Sequence, residues 1–453
     1  MMIIKNRGEL LSHGNRVARE VALNVAEHAL AAVNSYKALK KMVRVDDDRK
    51  LIIGDLSYDL SKIGNLYVVG AGKATFPIGQ VLDEVLGERI KRGAINVKRG
   101  EGRRLRHIEV REAGHPIPDE MGLEGAREIM DIAGEAKEGD IVFCAITGGA
   151  SALMPLPAEG ISLEDKKRVT DLLLKCGAAI DEINAVRKHV SAIKGGRLAM
   201  HIHPAEVINL IVIDEVAGLP WGPTVPDTTT FEDAVYALKK YYLWERIPDS
   251  VREYLERGLV DPSLETPKPK DFEGLKVHDV VLANNEIACE AAKKRAGELG
   301  FRSTILSTVL EGESREAGIV LAGIAKEIEG KGEPLEPPCV LVVGGETTVT
   351  ITEQPGEGGP SQELALGFSL KISGSRKIVI VSIDTDGTDG PTDIAGGVAD
   401  GYTVDRAKQK GMDIYENLMR HNSSCVLREL EDTIITGPTE TNVMDLNIIV
   451  ITP

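Results

Sequence analysis

Short apolar, β-branched runs alternate along this chain with amphipathic stretches, the rhythm of buried strands covered by helices. Runs at Leu66–Val69, Ile141–Ile146 and Val207–Ile213 predict strands in the first half. In the second half the runs are Val280–Ala283, Thr304–Ser307, Val340–Val343, Thr348–Thr352, Ile378–Ile383 and Asn447–Ile451. Between them, apolar residues at helical spacing predict helices over Ile78–Leu86, Leu123–Ala136, Leu163–Cys176, Glu286–Glu298 and Ser314–Ile328. This is an α/β pattern with mostly parallel sheets flanked by helices. Residues Tyr241 to Val277 carry Pro248, Pro262, Pro267 and Pro269 and little strand signal, which marks a crossover. We therefore expect an N-terminal Rossmann-like α/β domain over 1–245, a C-terminal α/β domain over 246–453, and an active site in the cleft between them.

At 453 residues the chain is long enough for two or three cores. Apolar residues make up 42% and charged residues 27%, a soluble globular composition. The net charge of −16 disfavours non-specific binding to nucleic acid or to an anionic membrane. An anionic small molecule would need a local basic cluster, either Arg103, Arg104 and Arg106 or Arg187, Lys188 and Lys194. Cys144, Cys176, Cys289, Cys339 and Cys425 are scattered without a C-x-x-C pair, so free thiols are expected. The first residues show no long apolar leader, and no run reaches membrane-span length, so the expected location is the cytoplasm. Only four Gln occur, which hints at a thermophilic source.

The densest chemistry follows the run Ile378–Val381. Asp384, Asp386, Asp389 and Asp393 crowd ten residues spaced by Gly, Thr and Pro. At the carboxyl edge of a sheet such carboxylates either hold a hydrated divalent cation or make Asx turns and helix caps. An EF-hand is excluded, because its sixth position holds Asp389 and its twelfth Ala395. Mg²⁺ held by one or two carboxylates plus phosphate oxygens suits the spacing better.

Other strand ends carry small and hydroxyl residues. Gly70-Ala71-Gly72-Lys73-Ala74-Thr75 reads as strand, tight turn and helix start, where an anion is favoured. It lacks the third glycine and the ribose carboxylate of a dinucleotide fingerprint, and it is not a P-loop. Lys73 is nonetheless an expected anion ligand. Gly148, Gly149 and Ser151 form a second such loop, with Ser151 either a ligand or a helix N-cap. Asn184 to Ser191 places Arg187, Lys188 and His189 on consecutive helical positions, so at most one or two face a site; His189 reads as structural. Asp214 ends the 207–213 run and could take a proton from an alcohol, or simply make a turn. Gly345, Glu346 and Thr347 end another strand, and Asn442 with Asp445 could complete a metal or phosphate shell. Together these loops describe phosphoryl transfer by positioning and charge neutralisation, without a Walker A loop.

The ordered motifs also carry a resemblance. Gly70–Ala74, Gly114-His115-Pro116-Ile117-Pro118-Asp119, Gly148-Gly149, Asn184–His189 and Gly222–Asp227 are joined by Gly344–Thr348, Gln362-Glu363-Leu364-Ala365, Asp384–Gly390 and Thr436–Thr439. Over nearly its full length the chain resembles glycerate 2-kinases with a C-terminal MOFRL domain. The resemblance implies phosphorylation of D-glycerate at its 2-hydroxyl by ATP and Mg²⁺. It implies Lys73 and Asp214 as catalytic residues, with Asp384, Asp386 and Asp389 as metal ligands. Gly72, Gly148, Gly149, Ser151, Arg187, Lys188, Gly345, Glu346, Thr347, Glu363 and Asn442 would bind substrate or phosphate, and a homodimer is compatible with it. Three positions depart from the family pattern: Pro360 where Arg is frequent, Asp214-Glu215-Val216 where Ser-Asp-Val is commoner, and Glu440 where Gly is usual. The alternatives are an NAD(P)H-dependent hydroxypyruvate reductase and a non-catalytic binder of small acids.

Overall fold

In the computed structural model, residues 3–213, 222–351 and 355–453 are described. Three sheets organise them. Strands β1 (Val43–Asp46), β2 (Lys50–Ile53) and β3 (Leu56–Asp59) form a small antiparallel meander. The second sheet contains β4 (Leu66–Ala71), β5 (Ile90–Lys98), β6 (Glu109–Ala113), β7 (Ile141–Ile146), β8 (Glu206–Val212) and β9 (Val277–Ala283). The third contains β10 (Arg302–Leu310), β11 (Cys339–Gly345), β12 (Ile378–Asp384), β13 (Gly396–Asp400), β14 (Thr433–Ile434) and β15 (Asp445–Ile451).

Two compact units result, one of residues 39–211 and 220–282, the other of 1–38, 212–219 and 283–453. This is not the single cut expected near residue 245. The proline-rich stretch is the first reason. Its helix Asp249–Gly258 buries Val251, Tyr254 and Leu255 against the helices Leu163–Lys175, Ile180–His189 and Phe231–Lys240, so it belongs to the first unit's core. The N-terminus is the second reason. The helix Arg16–Ala32 buries Ala18, Ala22, Leu23, Val25 and Ala26 with Val340, Val342, Val379, Val381 and Ile448 of the third sheet.

In the 39–282 unit the sheet order is β6-β5-β4-β7-β8-β9, and the β6–β5, β5–β4, β4–β7 and β7–β8 pairs are all parallel. Strands β4 and β7 are buried along their whole length, the uninterrupted apolar reading of a strand covered on both faces. The connections leaving β4 and β7 diverge, so the crevice at their carboxyl ends is a topological switch point.

The other unit's sheet is mixed. Its order is β10-β11-β15-β12-β13-β14, with β10–β11 parallel and the remaining pairs antiparallel. The parallel expectation therefore describes the first unit's sheet. In the second, the C-terminal β15 inserts antiparallel between β11 and β12. Alternation along β11 sends Val340 and Val342 to one core, and Cys339, Leu341 and Val343 to another with Leu364 and Phe368. The expected strand at Thr348–Thr352 does not form over its described residues. Thr348 instead makes one isolated bridge to Glu313, and its carbonyl accepts the N–H of Ser314 at 2.9 Å, so the segment closes on a helix start. Thr352 lies outside the described residues.

Among the described residues no helix is long and apolar enough to cross a membrane. All five cysteines are free; Cys144, Cys289 and Cys339 are buried and Cys425 is exposed.

Candidate active site

At the switch point, the turn after β4 is tied to the turn after β7. The N–H of Lys73 donates to the carbonyl of Gly148 (2.8 Å), and Thr147 N–H donates to the carbonyl of Ala71 (3.1 Å). The Thr147 hydroxyl accepts from Ala74 N–H and meets the hydroxyl of Thr75, each at 3.1 Å. Thr147 is therefore scaffold, and its hydroxyl is spent within the fold. Gly72 adopts φ +144°, and a Cβ there would strike Thr147, so only glycine lets the turns approach this closely. Gly149 (φ +83°) precedes the short helix Ala150–Leu153, with His115 and the stem of Lys73 on its open side. Ser151 lies inside that helix instead of capping it, and its hydroxyl accepts from the ammonium of Lys194.

The basic segment Ile180–His189 divides as helical geometry requires, since neighbours differ by about 100°. Lys188 is ion-paired with buried Asp227, which also accepts from the hydroxyls of Thr229 and Thr266. Burial alone would raise the Asp227 carboxyl, but Lys188 and the Thr229 amide hold it below the usual range. Lys188, expected to bind substrate, is thus clamped to Asp227. His189 is structural as well, held by the Ala185 carbonyl (2.7 Å) and Glu265 (2.8 Å) and edge-on to Phe231. Arg187 is half-buried, has no ion pair or hydrogen bond among the described residues, and is lowered by burial. Lys166 is a further cation that the motif reading missed; it lies on the buried face of its helix with Leu163, Val169 and Leu173. A lysine at an apolar position of a helical stripe was the available signal. Asp214, the expected proton acceptor, lies outside the described residues.

In the other unit, carboxylates gather at the ends of β12 and β15. Asp384 and Asp445 are register partners across the two strands. Burial first, and then the fields of Asp386 and Asp445, push the Asp384 carboxyl well above its usual range. Burial, Asp389 and Glu346 do the same to Asp445. Asp386 accepts the N–H (2.8 Å) and hydroxyl (2.7 Å) of Thr388, the Asx turn foreseen as an alternative. Asp389 is a cap, its two oxygens accepting the N–H groups of Ser361 (3.0 Å) and Gln362 (2.9 Å) at the start of the Pro360–Ile372 helix.

Among the described residues no three His, Cys, Asp or Glu side chains form a metal cage. The donor set does fit Mg²⁺ bound by one or two carboxylates and completed by phosphate and water oxygens. Asp384 and Asp386 are the carboxylates so placed, and the mutual repulsion around Asp384 is what a divalent charge relieves.

The remaining expected residues scatter. The space a side chain would need at Gly345 is filled by the backbone of Leu310, so strand packing alone requires this glycine. Thr347 is buried and accepts from Ser314 (2.9 Å). Glu363 is 1% exposed and faces His421 at 3.0 Å. Asn442 is buried and Glu346 exposed, the latter hydrogen-bonded through its N–H to Leu310.

Comparison with known proteins supports the same reading. Residues 21–256, more than half of the chain, match a domain of unknown function (DUF4147), and residues 339–445 match the MOFRL family. The chain is 46% identical over 437 residues to glycerate 2-kinase of Pyrococcus horikoshii, covering 96% of this chain and 97% of that one. The chain belongs to the glycerate kinase family with a MOFRL domain. A crystal structure of glycerate kinase from Thermotoga maritima superposes with a TM-score of 0.82 at 36% identity, covering 96% of this chain and 99% of that one. A protein of Agrobacterium vitis with a provisional hydroxypyruvate reductase name is 36% identical over 86% of this chain and 100% of its own.

Proposed function

We propose that this protein transfers the γ-phosphoryl group of ATP to the 2-hydroxyl of D-glycerate, with Mg²⁺ as the companion cation. The observation that carries the reading is the Gly72-Lys73 turn locked onto Thr147-Gly148 at the switch point of a Rossmann-like sheet. The N–H groups of Gly72 to Thr75 are spent inside the fold, so it is the Lys73 side chain, set beside the Gly148–Ser151 turn, that would meet an anion. Lys73 steadies the transferring phosphoryl group, and the Gly148–Ser151 turn cradles phosphate oxygens. Asp214 orients the 2-hydroxyl and takes its proton, a role carried over from the family motif. Asp384 and Asp386 would hold Mg²⁺, whose charge offsets that of the phosphates when bound.

The reductase reading meets two obstacles in the same turn. The third fingerprint position is Thr75, whose hydroxyl donates to the Ala145 carbonyl (3.2 Å), and β5 ends in Val97-Lys98 without a carboxylate for a ribose.

Mixing the protein with ATP, Mg²⁺ and D-glycerate, and following ADP release with enolase added, tests the proposal. ADP release with a product that enolase consumes supports both kinase and position. ADP release without such a product rejects the 2-position. No ADP release, with NADH consumed on hydroxypyruvate, replaces the kinase by the reductase.

A further inference from the structure

The turn between β6 and the helix Glu120–Glu135 brings one more side chain to the switch point. Both ends of that turn are fixed. The N–H of Arg99 donates to the carbonyl of Ala113 where β6 ends (3.1 Å), and Asp119 caps the helix by accepting the N–H of Gly122 (2.9 Å). Arg99 also pairs with Asp119 at 2.8 Å. A Cβ at Gly114 would meet the carbonyl of Ile117 at 2.6 Å, so the turn folds tightly back on itself. In the order β6-β5-β4-β7, β6 lies three strands from β7, roughly 14 Å at ordinary strand spacing. His115 nevertheless stands at the turn after β7. The three atoms nearest to where a Cβ on Gly149 would lie are Cδ2 and Nε2 of His115, each at 3.0 Å, and Cγ of Lys73 at 3.3 Å. The ring edge that carries Nε2 and the stem of Lys73 therefore border one space, which the missing side chain of Gly149 leaves to them.

Packing alone would be served by an apolar ring here; a half-buried imidazole adds a hydrogen-bonding nitrogen to the same shape. A phosphoryl group in transfer spreads its charge over three equatorial oxygens, more than one ammonium can meet. Lys73 supplies a point charge, and an imidazole beside it supplies a second, directional N–H. We propose that His115 is a further catalytic residue, its Nε2 donating to an oxygen of the transferring phosphoryl group alongside Lys73. The inference rests on the kinase reading and deepens it: turns from β4, β6 and β7 each bring one part of the phosphoryl contact. The carboxylate of the acceptor acid would accept the same hydrogen bond, but the ring stands against the glycine turn that cradles phosphate, and the test separates the two.

The full-length H115F and H115Q variants are compared with wild type for kcat, KM of ATP, KM of D-glycerate and melting temperature. Phenylalanine keeps a ring and removes the donor; glutamine keeps an N–H at similar reach. The expected result is a kcat lowered about 10²- to 10³-fold in H115F, with KM of glycerate changed less than about twofold. H115Q should recover about tenfold of that loss, the worth of one neutral hydrogen bond. Wild-type kcat in H115F overturns the proposal. A raised KM of glycerate with kcat kept overturns it in favour of the acid's carboxylate. Equal kcat losses in both variants, with lowered melting temperatures, reduce His115 to a packing role. Nitrogen-15 spectra of the histidine rings keep the two readings apart, since the signal missing from H115Q belongs to His115. Wild type that releases no ADP while tripolyphosphate moves that signal removes the kinase and leaves the anion contact. Wild type that releases ADP while ATP leaves the signal unmoved removes His115 from the chemistry.

Discussion

Asp389 caps the helix that begins at Pro360: its Oδ1 accepts the backbone N–H of Ser361 at 3.0 Å, and its second oxygen takes Gln362. Burial raises this carboxyl to about 7, while the two amides hold it down. Replacing the cap with alanine should cost about 1–2 kcal/mol of stability by denaturant titration. Mg²⁺ titration of D389A should match wild type. A variant of unchanged stability that no longer binds Mg²⁺ would return Asp389 to the metal.

Asp384 is expected to behave in the opposite way. Its carboxyl is burdened by burial and by Asp386 and Asp445, and a cation relieves that burden. Adding Mg²⁺ should raise the melting temperature of wild type, and chelation should abolish turnover. The D384N variant should lose most of the calorimetric Mg²⁺ signal yet melt at or above the metal-free wild-type temperature. A full Mg²⁺ response in D384N would place the metal elsewhere.

Lys73 stands on a turn held by backbone contacts, its own N–H to Gly148 and the Ala74 N–H to Thr147. The K73A variant should therefore keep the turn, and its melting temperature should change far less than its turnover. Its kcat should fall by about 10²–10³, the loss typical of removing one charge-stabilising donor. Wild-type turnover in K73A would exclude Lys73 from the chemistry.

Glu265 binds His189, Lys268 and the amide of Thr266. Burial would raise its carboxyl, but Lys268, Thr266 and His189 together hold it at about 2. The folded pKa is depressed, so the stabilisation is present above the ordinary glutamate range near 4.3 and is lost as pH falls toward about 2. Denaturation of wild type between pH 6 and 2 should show this loss, and E265Q should flatten the profile over that window. Parallel profiles for the two proteins would refute the assignment.

Arg19 is fully buried and joins Asp400 and Asp432, each at 2.7 Å, while Asp432 also receives His13 and Arg406. Removing one partner leaves buried charge uncompensated. R19A should cost about 3–5 kcal/mol by equilibrium unfolding. A loss below about 1 kcal/mol would show that the N-terminal helix does not depend on this network.

The acid loop, the glycine turns and most strands were legible because their signals are local. The Ile141–Ile146 run became β7 with the same bounds, and the paired glycines announced backbone crowding even where the neighbour was another strand. The reading failed where one pattern serves two structures. β-branched Thr348–Thr352 looked like a strand, but its first residues close on a helix start. The helix cap at Asp389 was not legible, because a capping carboxylate and a ligating one share the same composition.

What the sequence by itself determined is the periodicity of its segments, the charge on its loops and the ordered motifs of its family, since each depends on neighbouring residues along the chain. The tertiary structure decided which of those charges meet. Only the fold could place the first 38 residues with the last 171, because that pairing is made by burial and by Arg19 across hundreds of residues. Only the fold could take Lys188 to Asp227, because a side chain's partner is set by helix direction and packing, which no local spacing records.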